Sequence, residues 1–309
     1  MAGKEIRMVS CIVTTYKRPI EILKRALDSV VTQTFQDIEL IVVNDAPQEQ
    51  VLAEEIRKLM ETYNMPKQYI VHEKNQGACA ARNTGIEQAR GEYLAFLDDD
   101  DEWLPQKLAR QMTYMQEEIA LVYCSHYVID RKRRKRLIEE PLAREGYHED
   151  EFVQLLRVNF IGSTSYPLLR TEAVRAVGGF CTDIKASQDH DLWLRIAQKY
   201  KISYCREPLV ILHYSEEAIS RNIQNSIQGY EYLLKKYEDY YGKQRELLNY
   251  RLNYLAYCFL CVGEMKYVVM YWWRGIKAKL FSKHNFMLIA MVMKKLLAVG
   301  RQENRAVER

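Results

Sequence analysis

The sequence predicts an α/β fold with a mostly parallel central sheet, on three observations. Short apolar, β-prone runs alternate with helical periodicities between residues 9 and 97. Several of those runs stop abruptly in polar or acidic residues. The chain has 309 residues, 48% of them hydrophobic, with no low-complexity tract, which is enough to bury a substantial core.

The elements follow in order. Val9–Thr14 reads as a strand running into Thr15-Tyr16-Lys17-Arg18-Pro19, and Ile22, Leu23, Ala26, Leu27, Val30 and Val31 then share one helical face. Ile38–Val43 is a second strand, ending at Asn44-Asp45. A charged helix over 48–63 and a strand at Gln68–His72 come next. Asn75-Gln76-Gly77 opens a helix to Ala89, closed by Arg90-Gly91, and Tyr93–Leu97 is a strand that meets Asp98 directly. Beyond Trp103-Leu104-Pro105 the pattern predicts a helix to about Glu118, the strand Ala120–Cys124, and helices at 149–157, 171–177 and 190–199. From Asn225 the periodicity is helical nearly to the end, so a boundary is expected near 220, with residues 1–220 one domain and 221–309 a helical extension.

A net charge of +4 is too weak to argue for nucleic acid, although bases gather at 131–136 and between Lys266 and Arg301. Seven cysteines, an odd number scattered among apolar residues, read as reduced thiols of a cytoplasmic protein. Cys258 and Cys261 have CxxC spacing, but no second pair or nearby His completes a zinc site. The opening residues lead straight into a strand, unlike a signal peptide, and no segment reaches the roughly 18 apolar residues of a spanning helix.

In open α/β sheets ligands bind beyond the carboxyl ends of the strands. Thr14 and Tyr16, Asp45, and Asp98, Asp99 and Asp100 all fall at such ends. A Tyr ring there can stack on a base, and Asp45 can accept the imide N–H of uracil. Singly, each has a bland reading as a turn or strand end. The run Asp98-Asp99-Asp100-Asp101-Glu102 is the sharper signal, because adjacent carboxylates need a cation, solvent or helix amides to stay ionised together. Mg²⁺ or Mn²⁺ takes one or two carboxylates plus substrate phosphates. The competing reading, Asp101 as cap of a helix entering at Glu102–Pro105, explains only one aspartate.

Ser10-Cys-Ile-Val-Thr14-Thr-Tyr16-Lys-Arg18, Val42-Val-Asn44-Asp45, Asn75-Gln-Gly77 with Ala81-Arg82-Asn83, and Phe96-Leu-Asp98-Asp-Asp100-Asp-Glu-Trp103-Leu-Pro105 resemble, in order and spacing, the family 2 inverting glycosyltransferases over about 7–220. The resemblance implies a GT-A fold, Rossmann-like with a mostly parallel sheet flanked by helices. It implies a nucleotide-sugar donor, usually a UDP-sugar, held by Thr14, Tyr16, Arg18, Asp45, Arg82, Asp98 and Asp99. Mn²⁺ or Mg²⁺ would sit on the DxD-type motif, with Asp100 the direct ligand and Asp98 and His213 completing the set. Arg82 reads equally as a helix-surface arginine, and His213 equally as a structural residue at a strand end.

Ser187-Gln188-Asp189-His190-Asp191-Leu192-Trp193 is similar to the family segment in which an acid pair precedes a tryptophan-bearing helix. The matching catalytic base is Asp189, which would otherwise read as a helix N-cap. Gln188 stands where the family commonly has Glu, a departure that bears on acceptor binding; Trp193 reads as acceptor-site wall or as core. The acceptor implied is a glycan or lipid-linked saccharide, in cell-surface polysaccharide synthesis.

Arg131–Arg136 reads as a solvated hairpin tip or as a contact with anionic lipid. In the tail, Phe286, Ile289, Ala290, Met293, Leu296 and Leu297 share a helical face, and Trp272-Trp273 neighbour Arg274, Lys277 and Lys279. An amphipathic helix on the inner face of a membrane and a bundle or homodimer interface are the two readings. The competing function is a catalytically silent nucleotide-sugar-binding scaffold, suggested by Gln188 alone.

Overall fold

A computed structural model describes residues 8–129, 134–138, 151–213 and 223–294. By packing they form two compact units: one spans residues to Asp183 together with Gln188–Glu216, the other Ile184–Ser187 and the chain from Glu217 onward.

The first unit is a mixed sheet. Strands β1 (Val9–Thr15), β2 (Ile38–Asn44), β3 (Lys67–Val71), β4 (Tyr93–Asp98), β5 (Glu102–Trp103), β6 (Ile119–Ile129), β7 (Lys135–Ile138), β8 (Leu168–Arg170) and β9 (Lys201–His213) lie in the order β3-β2-β1-β4-β8-β6-β9-β5, with β7 paired to β6. The block β3-β2-β1-β4 is parallel, while β8 runs antiparallel to both β4 and β6. β1 and β2 are β-branched runs buried on both faces, as inner parallel strands must be. Even the carboxylate of Glu39 on β2 is buried, and it accepts from Ser10 Oγ at 2.5 Å and the Arg90 N–H at 2.6 Å.

Helix α1 (Ile20–Val31) follows Pro19, whose carbonyl accepts the N–H groups of Ile22 and Leu23. It buries Leu23, Ala26, Leu27 and Val30, at i, i+3, i+4 and i+7, in the same core as Val9, Cys11 and Val13 of β1. Each such leucine or valine contributes about 1.5–3 kcal/mol. Helix α2 (Gln50–Glu61) adds Ile56 and Met60 to that core. Ile12, pointing the other way from β1, meets helix α3 (Ala78–Gln88) so closely that a Cβ on Gly85 would lie 2.4 Å from Ile12 Cγ2.

The helix expected up to Glu118 is shorter. Helix α4 (Lys107–Met112) ends where Thr113, Tyr114 and Met115 switch to bonds three residues back, tightening the chain into a turn before β6. β6 extends past Cys124 to Ile129, and β9 begins at Lys201, well ahead of its apolar end; the two pair in parallel through several register shifts. Helices α5 (Glu151–Arg157), α6 (Thr171–Ala176) and α7 (Gln188–Ala197) complete the unit. Of the basic run, Arg131, Lys132 and Arg133 lie outside the described residues; Lys135 and Arg136 are in β7, and Lys135 stands over the Tyr127 ring at 3.9 Å.

The second unit is helical: α8 (Ile223–Lys236), α9 (Glu238–Lys243), α10 (Arg245–Val262), α11 (Met265–Ala278) and a helix at 283–294. α10 buries residues on several sides and stops at Gly263, whose φ of 85° makes a left-handed cap. Among the described residues no helix is long and apolar enough to cross a membrane. None of the seven cysteines forms a disulfide.

Candidate active site

The strand order reverses at β1, with β2 on one side and β4 on the other, and the carboxyl ends at such a switch point are where open α/β sheets bind their ligands. The register places Thr14 opposite Asp98 and Thr15 opposite Asn44. The sequence signals at the three strand ends therefore meet at one edge.

Beyond β1, Lys17 has a φ of 53°, strained for a residue with a Cβ. That turn leaves Tyr16 47% exposed and brings Arg18 back toward the acids. Arg18 Nε donates to Asp99 Oδ1 at 2.8 Å, and its Nη2 lies 3.2 Å from Asp100 Oδ2. Thr15 Oγ1 donates to the other Asp99 oxygen at 2.8 Å, and Arg25 Nη2 to the Asp100 carbonyl at 2.7 Å.

Asp98 is held differently. It accepts from Arg82 Nη2 at 2.7 Å, Thr164 Oγ1 at 3.0 Å and Ser163 Oγ at 3.1 Å. Ser165 Oγ takes the Asp98 N–H at 3.1 Å and donates to Asp101 Oδ2 at 2.6 Å. The competing reading of Asp101 as a helix cap does not hold: helix α4 starts only at Lys107, and Asp101 is buried against Ser165. These settings split four adjacent carboxyls. Burial alone would raise Asp98, but the Arg82 guanidinium and the hydroxyls outweigh it and hold the group below its ordinary range. Burial pushes Asp99 up to about 6 despite Arg18. It also raises Asp100, and raises Asp101 well above the usual value, with the neighbouring charge on Asp98 adding to the effect.

Asp45 is only 3% exposed. It takes the N–H groups of Gln76 and Gly77 at 2.8 and 2.7 Å, and His72 Nδ1 lies 2.7 Å from it. The carboxylate thus fastens the loop in front of α3, where Gly77 adopts a φ of 87°. Arg82, one turn into that helix, stands over the Phe180 ring at 5.4 Å while gripping Asp98, which decides against a purely solvated arginine.

Asp189 is the second residue of α7, behind Gln188 and a Ser187 with φ of 58°. Asn159 Nδ2 donates to it at 3.1 Å, and Asn159 Oδ1 in turn accepts the Gly162 N–H at 3.0 Å. Burial raises the Asp189 carboxyl; the His190 N–H, the Arg82 charge and Asn159 oppose the rise without cancelling it. Trp193 requires a correction as an acceptor contact. It is fully buried, with Nε1 donating to the Gly162 carbonyl at 3.1 Å, so it is core behind the 159–165 segment. His213 ends β9 with Nε2 3.3 Å from Glu102 Oε2, and burial together with Arg25 favours its neutral ring.

Among the described residues no group of three or more His, Cys, Asp or Glu converges as a ready metal cage. The donor chemistry nevertheless fits a hard divalent ion: Asp100 keeps a partly exposed carboxylate just past the end of β4, and such ions are completed by substrate phosphates. Sequence reasoning missed Ser163, Thr164, Ser165 and Asn159. Their only signal was a run of hydroxyls ahead of Tyr166-Pro167, with nothing to link it to an aspartate 65 residues away.

The family model described as Glycosyl transferase family 2 matches residues 10–178, more than half of the chain. The chain belongs to glycosyltransferase family 2. An Escherichia coli K12 relative of this family, WcaA, provisionally named a colanic acid biosynthesis glycosyl transferase, is 29% identical over 76% of this chain and 83% of its own length. Among solved structures, residues 1–349 of S. aureus TarS in complex with UDP-GlcNAc match with a TM-score of 0.58 at 16% identity, over 81% of each chain. A Pyrobaculum calidifontis mannosyltransferase in complex with GDP-Man and Mn²⁺ matches with a TM-score of 0.56 at 18% identity, over 93% of this chain and 86% of that one. The family 2 enzyme thus has the GT-A fold, with a helical region after its catalytic sheet.

Proposed function

We propose that this glycosyltransferase is inverting and metal-dependent, transferring a sugar from a nucleotide-sugar donor, a UDP-sugar in the first instance, to a hydroxyl of a glycan or lipid-linked acceptor in cell-surface polysaccharide synthesis. The observation that carries the reading is the acid run at the end of β4, where Arg82 Nη2 donates to Asp98 at 2.7 Å and Arg18 Nη2 lies 3.2 Å from Asp100, together with a buried Asp189 whose carboxyl is raised while that of Asp98 is lowered. Carboxyls pushed apart in this way divide the work between charge stabilisation and proton transfer.

The donor nucleoside would lie across the ends of β1 and β2, with the exposed Tyr16 ring on the base, and Thr14 and Asp45 behind it. The diphosphate would lie toward Arg18, Arg82 and the aspartates, where Asp100, with Asp98 and His213, would hold Mn²⁺ or Mg²⁺. That ion would neutralise charge on the departing diphosphate. Asp189 takes the proton of the acceptor hydroxyl as its oxygen bonds to the anomeric carbon. The carbon–phosphate oxygen bond breaks on the opposite face, and its electron pair leaves with the nucleoside diphosphate. The relative assigned to colanic acid synthesis and the neighbours bound to UDP-GlcNAc and GDP-Man support the donor class and the pathway type.

The test has two parts. Calorimetric binding of UDP-, GDP- and dTDP-sugars is expected to need Mn²⁺, and to weaken with EDTA or Asp100→Ala. Turnover should release nucleoside diphosphate and give a product of inverted anomeric configuration by NMR. Retained configuration sinks the mechanism, and donor binding without turnover across a broad acceptor panel favours the silent scaffold.

A further inference from the structure

The helical unit carries a helix that buries Asn285 and Leu288 but leaves most of its apolar residues in water. Over 283–294, Asn285 is 3% exposed while Phe286 is 62% and Met293 54% exposed, with Ile289 between them. Phe286, Ile289 and Met293 recur at i, i+3 and i+7 and form one outward stripe. The rotation of the helix is fixed from inside. Asn285 Oδ1 accepts from Nδ2 of both Asn249 and Asn253 at 2.8 Å, and Asn285 Nδ2 donates to the Lys279 and Leu280 carbonyls at 2.8 and 3.0 Å. Ser282 Oγ donates to Asn249 Oδ1 at 2.7 Å. Turning the stripe inward would strand this set of buried amides, so its exposure is built into the fold.

The surrounding charge says what would cover it. From Met265 to Gln302 the chain has eight Lys and Arg and no Asp or Glu, and Glu246 of α10, an acid packed near it, pairs with Lys279. Lys283 and Lys294 bracket the exposed stripe, and Phe281 just ahead of it is 81% exposed. On α11, Lys277 stands 5.7 Å from the ring of the exposed Trp273. A symmetric contact with a second copy would set this cationic segment against itself. An apolar stripe edged by lysines and an interfacial tryptophan instead matches the boundary between anionic headgroups and acyl chains.

We propose that the 283–294 face docks on an anionic lipid surface, with Phe286, Ile289 and Met293 entering the acyl boundary and Lys283 and Lys294 on the lipid phosphates. The full chain should float with phosphatidylglycerol-containing vesicles, and binding should fall by about tenfold or more on pure phosphatidylcholine or in high salt. F286S/I289S/M293S and K283E/K294E should each lose a comparable factor while keeping wild-type circular dichroism and melting. No flotation of the wild type with anionic vesicles overturns the proposal whatever the variants do. So does undiminished binding by a folded stripe variant. A dimer seen by ultracentrifugation and abolished by the stripe variant, without vesicle binding, would assign the face to a second copy instead.

Discussion

Asp98 and Asp189 are the same side chain under opposite physical orders. At Asp98 a guanidinium and two hydroxyls outweigh burial, whereas at Asp189 burial outweighs the His190 N–H, the Arg82 charge and Asn159. If Asp189 is the base, its ionised form is required, so kcat/KM should fall with acid through an apparent pKa above the ~3.9 of a free aspartate. Asn159 bonds the charged form and lowers that pKa. Asn159→Leu should therefore move the acid limb to still higher pH and leave the plateau less affected. A lower plateau with an unmoved limb would reduce Asn159 to a structural part. Asp189→Asn should cost about 10²–10⁴-fold in kcat while calorimetric donor affinity stays near wild type.

At the scale of elements, the β1–α3 contact sets where Arg82 stands. Gly85 lets the helix settle on Ile12, and the branched Cγ2 of Ile12 has no flexible end to swing away. Gly85→Ala should destabilise the protein by about 1–3 kcal/mol in urea unfolding and also weaken donor binding, because the helix must lift with Arg82 on it. Unchanged stability would mean that α3 shifts freely. The short antiparallel pair β5–β9 is a second such device, aligning Trp103 with Val210 so that the chain leaving the aspartates is pinned to the strand ending at His213.

At the scale of the molecule, the two units each carry their own core. The sheet unit centres on β1, β2 and β4, and the helical unit on α10 with its buried asparagines. Scanning calorimetry should resolve two transitions, and UDP-sugar with Mn²⁺ should raise only the one belonging to the sheet unit. A single transition that shifts as a whole would show the units unfolding together. Ile184–Ser187, immediately before the helix of Asp189, cluster with the helical unit; Ser187 Oγ lies so near Gly229 that a Cβ there would be 2.4 Å away.

What the sequence determined by itself was local. Apolar runs that end in acid announce parallel strands and the edge at which they stop, because period and termination are properties of neighbouring residues, and the shared edge of Thr14, Asp45 and Asp98 was legible for that reason. The long reach of β9, the early end of α4 and the short strands β5 and β8 were not, since those elements are held by partners distant in the chain. Trp193 had no local mark to separate wall from core, and only burial under the 159–165 segment decided it. The tail makes the same division. Periodicity found the stripe of Phe286, Ile289 and Met293, but which way it faces depended on Asn249 and Asn253, two turns of another helix whose amides claim the opposite side.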